Sequence, residues 1–152
     1  MPQAEASPRI FIDADVLFSA AYLVEERTPS LMALADRGRC ILVISQYAAT
    51  EARRNLERKR PERVPALDHL VRALELGPAP SSPMIERAGT LGLGQGDSII
   101  LAGAVASRAD WLVTGDKAFW KVAQAVHRAL GVEILSQSRA LARLMYSVRP
   151  PG

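Results

Sequence analysis

Among 152 residues the chain has one cysteine, Cys40, and two histidines, His69 and His127. A single thiol forms no internal disulfide, which excludes a small cross-linked scaffold and suits a reducing compartment. Cys40 opens the apolar run CILVIS, where a thiol reads as a packed core residue and not as a nucleophile. The two histidines stand far apart on predicted helices and read as surface residues, so no His or Cys cluster of the kind that holds zinc or copper is in view. No apolar run approaches the roughly 18 residues that a spanning helix requires, which sets membrane insertion aside. The opening residues MPQAEASP lack a basic segment followed by an apolar one, so a cytoplasmic protein is expected. Internal repeats are absent, and only Gly77 to Pro83 (GPAPSSP) is rich in proline, glycine and serine. That stretch is too short for a domain linker and reads as a loop, with room for a short edge strand beside it. A single domain over residues 1–152 is therefore expected, with 1–8 and 147–152 as flexible tails.

A hydrophobic share of 49% and a charged share of 23% are sufficient for a globular core. The net charge of +3 favours an anionic partner. Arg9 to Asp13 reads as a first strand and Val16 to Leu23 as a helix. Ser30 to Arg37 is a second helix stopped by Gly38, and Ile41 to Ile44 is a strand buried on both faces. Gln46 to Lys59 is a long helix broken by Pro61, after which apolar residues at helical spacing predict a helix over Glu62 to Leu76. Beyond the loop come a short helix from Met84 to Leu91, a turn at GLGQG, and an apolar helix from Asp97 to Arg108. Trp111 to Thr114 is a buried strand, Lys117 to Leu130 a helix, Val132 to Leu135 a strand and Ser136 to Tyr146 a last helix. Strands separated by helices imply parallel crossovers, hence an α/β fold with a sheet of four or five parallel strands covered on both faces. Ligands of such sheets gather beyond the carboxyl ends of the strands.

Asp13 and Asp116 fall at such ends, each where an apolar strand runs into an acid and then a helix: RIFIDADVLFSA and ADWLVTGDKAF. A helix N-cap accounts for either of them alone, and for Asp15 too. Asp97 opens a predicted helix, where the positive end of the helix dipole already suits an acid. Glu51 stands inside a helix where no cap is required, and its plain alternative is a solvated face in the run EARRNLERKRPER. Several carboxylates gathered in one place repel by roughly 4 kcal/mol per pair at about 4 Å, so they take up protons or bind a cation. All-oxygen ligation suits magnesium or manganese.

The order of these acids resembles that of the PIN-domain ribonucleases, including the VapC-type toxins. The resemblance lies in Ile10 to Leu17, in Glu51 after Ile44-Ser45, in Asp97 followed by Ser98-Ile99-Ile100-Leu101-Ala102, and in Leu112-Val113-Thr114-Gly115-Asp116, and it covers about residues 9–135. It implies a three-layer α/β/α sandwich in which Asp13, Glu51, Asp97 and Asp116 are catalytic. Together with Asp15 they would hold one or two Mg2+ or Mn2+ ions for hydrolysis of RNA phosphodiester bonds. Asp15 occupies a slot where family members usually carry Asn or Ser. Thr114 would orient Asp116 or touch a metal-bound water, and Arg53, Arg54, Arg58, Lys117 and Lys121 are the candidates for holding the RNA backbone. The resemblance also implies a cognate antitoxin and a homodimer as partners, and leaves open whether the role is that of a toxin, RNA processing or decay. Two other readings stand beside it. One is a catalytically silent PIN-like module that binds RNA or protein. The other is a phosphatase like the haloacid dehalogenases, with Asp13-Ala14-Asp15 as its DxD, although Val16-Leu17 stand where such enzymes usually carry a glycine and a threonine.

Overall fold

The computed structural model describes residues 7–23 and 30–146. Of the two expected tails, residues 1–6 and 147–152 lie outside that range. Five short strands form one parallel sheet: β1 (Arg9–Ile12), β2 (Ile41–Ile44), β3 (Glu75–Leu76), β4 (Trp111–Val113) and β5 (Glu133–Leu135), in the spatial order β3-β2-β1-β4-β5. Helices α1 (Ala14–Tyr22) and α2 (Leu31–Asp36) connect β1 to β2, and α3 (Gln46–Lys59) and α4 (Val64–Ala73) connect β2 to β3. The chain then crosses to the other half of the sheet through α5 (Ser82–Gly89) and α6 (Gln95–Ala106). After β4 come α7 (Lys117–Lys121) and α8 (Ala123–Leu130), and α9 (Gln137–Tyr146) follows β5.

Alternation along the strands divides the interior into two cores. Ile10, Ile12, Leu42, Ile44, Val113 and Leu135 point to one face, where Leu17, Leu31, Leu56, Leu67 and Leu144 cover them. Phe11, Val43, Leu112 and Ile134 point to the other and pack with Leu101, Ala104, Phe119 and Val126. With apolar residues on both faces the strands are near-continuous hydrophobic runs, as expected of a parallel sheet between helical layers. Cys40 lies in the first core, and burial pushes its thiol up to about 11, so it stays protonated and inert. His69 and His127 are exposed. Among the described residues no helix is long and apolar enough to cross a membrane.

Three expected elements are redrawn. The helix after Pro61 ends at Ala73, and Glu75–Leu76 leaves it to form the edge strand β3. Its pull is tertiary: the Arg9 guanidinium donates to both Glu75 carboxylate oxygens at 3.2 and 2.7 Å, and the Gly77 amide donates to the Ile44 carbonyl at 2.8 Å. The helix expected over Lys117 to Leu130 is two helices that meet at Val122, with no proline or glycine to mark the break. Helix α6 begins at Gln95 on the Gly94 cap, so Asp97 lies inside its first turn and not at its opening.

The order of the strands reverses between β1 and β4. Connections leave β1 toward β2 on one side, and the later strands lie on the other, so loops on the two sides part and leave a crevice at the carboxyl ends of β1 and β4. Helix α6 runs back along the second face to reach β4, which brings its N-terminal turn to that same end. Close contact at Gly103 seats this helix: a Cβ there would lie 3.0 Å from Cζ of the fully buried Phe11 ring. Gly103→Ala is therefore expected to destabilise the fold by about 1–3 kcal/mol, despite alanine's better helix propensity. Thermal unfolding followed by circular dichroism should show a Tm lowered by roughly 2–4 °C per kcal/mol, and an unchanged or higher Tm would mean that the ring yields.

Candidate active site

Asp13 leaves β1 and caps α1. Its Oδ1 accepts the Ala14 amide at 2.7 Å, while its own amide donates to the Val113 carbonyl of β4 at 3.1 Å. The capping alternative is thus realised, and it does not exhaust the residue. The other carboxylate oxygen, Oδ2, accepts a hydrogen bond from the hydroxyl of Thr114 at 2.8 Å, and Asp13 is 8% exposed while Thr114 is wholly buried. The same Thr114 hydroxyl accepts the Asp116 amide at 3.0 Å. One threonine therefore fastens a strand-end acid on β1 to the backbone of a second acid beyond β4. In the sequence Thr114 reads as a partner of Asp116; in the structure its principal side-chain partner is Asp13.

Asp15, in the first turn of α1, bridges the same seam. Its Oδ2 accepts the Gly115 amide at 2.9 Å, and a Cβ on Gly115 would sit 2.9 Å from that oxygen. Glycine at this position allows the close approach. Asp116 caps α7 by accepting the Ala118 amide at 2.9 Å. From the far side, Asp97 in the first turn of α6 comes within hydrogen-bonding reach of the Asp116 carboxyl group, and its charge also meets that of Asp15. Glu51 lies half-buried on the second turn of α3, one turn beyond Tyr47. The Tyr47 hydroxyl would be 3.2 Å from a Cβ on Gly96 in the first turn of α6, so this ring spans from the Glu51 helix to the Asp97 helix.

The electrostatics arise from that crowding. Burial, opposed by the Thr114 hydrogen bond and reinforced by the neighbouring Asp15 and Asp97 charges, pushes Asp13 up to about 6. Burial and then the Asp116 carboxylate push Asp97 up to about 6 as well. Asp15 is raised by burial and by Asp116, against the hydrogen bond from Gly115. Tyr47 is raised by burial and then by Glu51, Asp97 and Asp13, which places its hydroxyl in the negative field of all three. Tyr47 was invisible as a site residue in the sequence; its spacing four residues before Glu51 was the one available signal. Among the described residues no lysine or arginine pairs with Asp13, Asp15, Glu51, Asp97 or Asp116.

The five acids expected as metal ligands thus share one end of the sheet, but they do not form one closed cage. Among the described residues no three His, Cys, Asp or Glu side chains converge tightly enough to hold an ion as they stand. Asp13 and Asp15 are turned toward hydrogen-bond donors, Asp97 and Asp116 face each other, and Glu51 is near enough to Tyr47 for its charge to act on the hydroxyl. Of the basic candidates, Arg53 is committed to an ion pair with Glu57 at 3.3 Å and to another with Asp68, and Arg58 donates a hydrogen bond to the amide oxygen of Asn55. Arg54, Lys117 and Lys121 are exposed and make no ion pair among the described residues.

Replacing Thr114 by valine keeps the shape of the side chain and removes both hydrogen bonds of its hydroxyl. The expected cost is about 1–3 kcal/mol at neutral pH, because a buried carboxylate loses its donor. Thr114→Ser should recover most of it, and equal denaturation midpoints for the valine and serine variants would refute the role given to the hydroxyl.

Several solved structures share this fold. The Pyrobaculum aerophilum protein PAE2754 superposes with a TM-score of 0.63 at 20% identity, over 94% of this chain and 98% of that one. The structure of VapBC2 from Rickettsia felis, bound to a DNA fragment from their promoter, gives 0.59 at 18% identity over 84% and 98%. VapBC-1 from nontypeable Haemophilus influenzae gives 0.56 at 16% identity over 86% and 98%. No curated protein matches the sequence significantly. The family model for the PIN domain matches residues 9–118, from β1 through the acid loop beyond β4. With that match over most of its length and the acids gathered at the carboxyl end of its sheet, the chain belongs to the PIN domain family.

Proposed function

We infer that the protein is a metal-dependent ribonuclease that hydrolyses RNA phosphodiester bonds, and that it acts in the cytoplasm as the toxin of a toxin–antitoxin pair. The observation that carries the reading is the approach of Asp97 on α6 to Asp116 beyond β4, beside Asp13 and Asp15, with no basic side chain to neutralise them among the described residues. Burial and neighbouring negative charge raise the proton affinity of Asp13, Asp15 and Asp97, a state that a hard dication relieves, and the all-oxygen donor set fits Mg2+ or Mn2+. Asp13, Asp97 and Asp116 are the residues that would hold one or two such ions, with Asp15 and Glu51 at the margin. The bound ion would supply an activated water and charge neutralisation at the scissile phosphate. Thr114 keeps Asp13 in place and ionisable, Asp15 holds the Gly115 turn, and Arg54, Lys117 and Lys121 draw in the RNA backbone. Similarity to the two VapBC structures supports a cognate antitoxin, and a homodimer is the expected assembly. Membership of the PIN family displaces the haloacid-dehalogenase alternative for Asp13.

Asp97→Asn should lower manganese-dependent cleavage of a defined RNA by at least about a hundredfold, since even residues one shell removed from a metal cost up to that much. Millimolar manganese should raise the Tm of the native chain and raise that of the variant less, by mass action on the folded state. Cleavage by the Asp97→Asn variant at the native rate would refute the assignment, and RNA binding with no cleavage in manganese would identify a silent module instead.

The acids also set a pH dependence. Asp13 and Asp97 titrate near 3.8 when unfolded and at about 6 when folded, so the native state binds more protons across that window. Their contribution to stability is therefore best at the acid end and is lost as pH rises through it. Glu75 and Glu133, held low by Arg9 and Arg143, act in the opposite sense. The informative quantity is accordingly the difference in Tm between the native chain and Asp13→Asn, measured in EDTA. The native chain should lose ground against the variant between about pH 4 and pH 6; a difference that is flat or grows in its favour would contradict the crowding.

A further inference from the structure

The helix beyond Asp116, α7, is five residues long and reads KAFWK. Phe119 is completely buried and roots the helix in the core, and the next residue, Trp120, is turned outward with 44% of its surface exposed. Its indole is nonetheless fixed. Nε1 donates to the main-chain carbonyl of Thr114 at 3.3 Å, and Thr114 is the residue whose hydroxyl holds Asp13. A large aromatic surface is thus anchored by its polar edge to the residue that holds Asp13, two residues before Asp116. Lys117 precedes Trp120 by three residues and lies on the same side of the helix, while Lys121 comes directly after it; both are exposed. The other tryptophan, Trp111, is half-buried on the sheet, with the Arg143 guanidinium 5.3 Å above its ring. Packing accounts for Trp111 and leaves the exposure of Trp120 unexplained.

An anchored, exposed indole flanked by cations, at the rim of a site for an anionic polymer, has the composition of a stacking platform for single strands. We propose that Trp120, with Lys117 beside it, is a nucleobase subsite: an unpaired base of the RNA stacks on the indole while a neighbouring phosphate meets the lysine. The subsite rests on the nuclease reading and deepens it, because it assigns a preference for unpaired strands. A base inside a helix has both faces occupied by its neighbours and cannot stack on a side chain.

The test uses the full chain in EDTA, where binding is read without cleavage, and a fluorescein-labelled mixed-sequence RNA of about sixteen nucleotides, single-stranded or annealed to its complement in a stable duplex. Trp120→Ala should weaken binding of the single strand by at least about fivefold, Trp120→Phe by less, and neither change should matter for the duplex. With unlabelled strand, tryptophan emission should be quenched in the native chain and not in Trp120→Phe, where Trp111 remains. In manganese the alanine variant should show a raised KM with kcat little changed. Native affinity and KM in Trp120→Ala, with cleavage intact, overturn the subsite alone. A native chain that binds the strand through Trp120 but never cuts it overturns the nuclease reading and keeps the subsite, and one that does neither overturns both.

Discussion

The Thr114 hydroxyl stands between two acids that follow neighbouring strands, donating a hydrogen bond to the Asp13 carboxylate and accepting one from the Asp116 amide. Everything at the carboxyl end of the sheet is arranged about this junction. It lies where the strand order reverses, so backbone from β1 and β4 runs side by side and then diverges, and the gap is lined by the residues each strand carries last. A buried carboxylate without a donor would stay protonated at neutral pH; with the Thr114 hydrogen bond opposing desolvation, Asp13 remains within reach of ionisation.

Around the junction the chain separates its charges. The protein is basic overall, yet its acids at this end make no ion pairs among the described residues, whereas Glu57, Glu62, Asp68, Glu75 and Glu133 are all matched with arginines elsewhere. Paired surface charges contribute little to stability. Unpaired, partly buried ones cost stability, and a protein that retains several together keeps a strained electrostatic centre of the kind found at functional sites. The centre is open rather than caged: Asp97 and Asp116 face one another across the gap, and among the described residues no three of the acids converge on one point.

Much of the architecture was readable from pattern. The run ILVI between Cys40 and Ser45 became β2 with the expected bounds, as did the helix Gln46–Lys59, since a short β-branched run and a proline stop are local signals. The errors were of another kind. Glu75 and Leu76 continue an amphipathic helical rhythm, and only Arg9, 66 residues away, together with the open edge of β2, draws them into a strand. The roles of the site residues divided in the same way. Acid after strand is visible at Asp13 and Asp116. That Thr114 serves Asp13, that Arg53 is occupied by Asp68, and that Tyr47 and Trp120 border the acids could not be seen, because each depends on a partner set by packing.

By itself, then, the sequence determined most of the elements and the inventory: which segments are strands and helices, apart from the edge strand β3 and the break at Val122, and which acids stand at strand ends and in a helix's first turn. These come from periodicities of two and 3.6 residues and from capping chemistry, all of which act over a few neighbours. Which acids meet, how closely, and with what charge were decided only by tertiary structure. The order of strands in the sheet and the close approach of α6 over Phe11 put Asp97 opposite Asp116, and the desolvation and repulsion that raise Asp97 arise only when residues far apart in the chain share the same few ångströms.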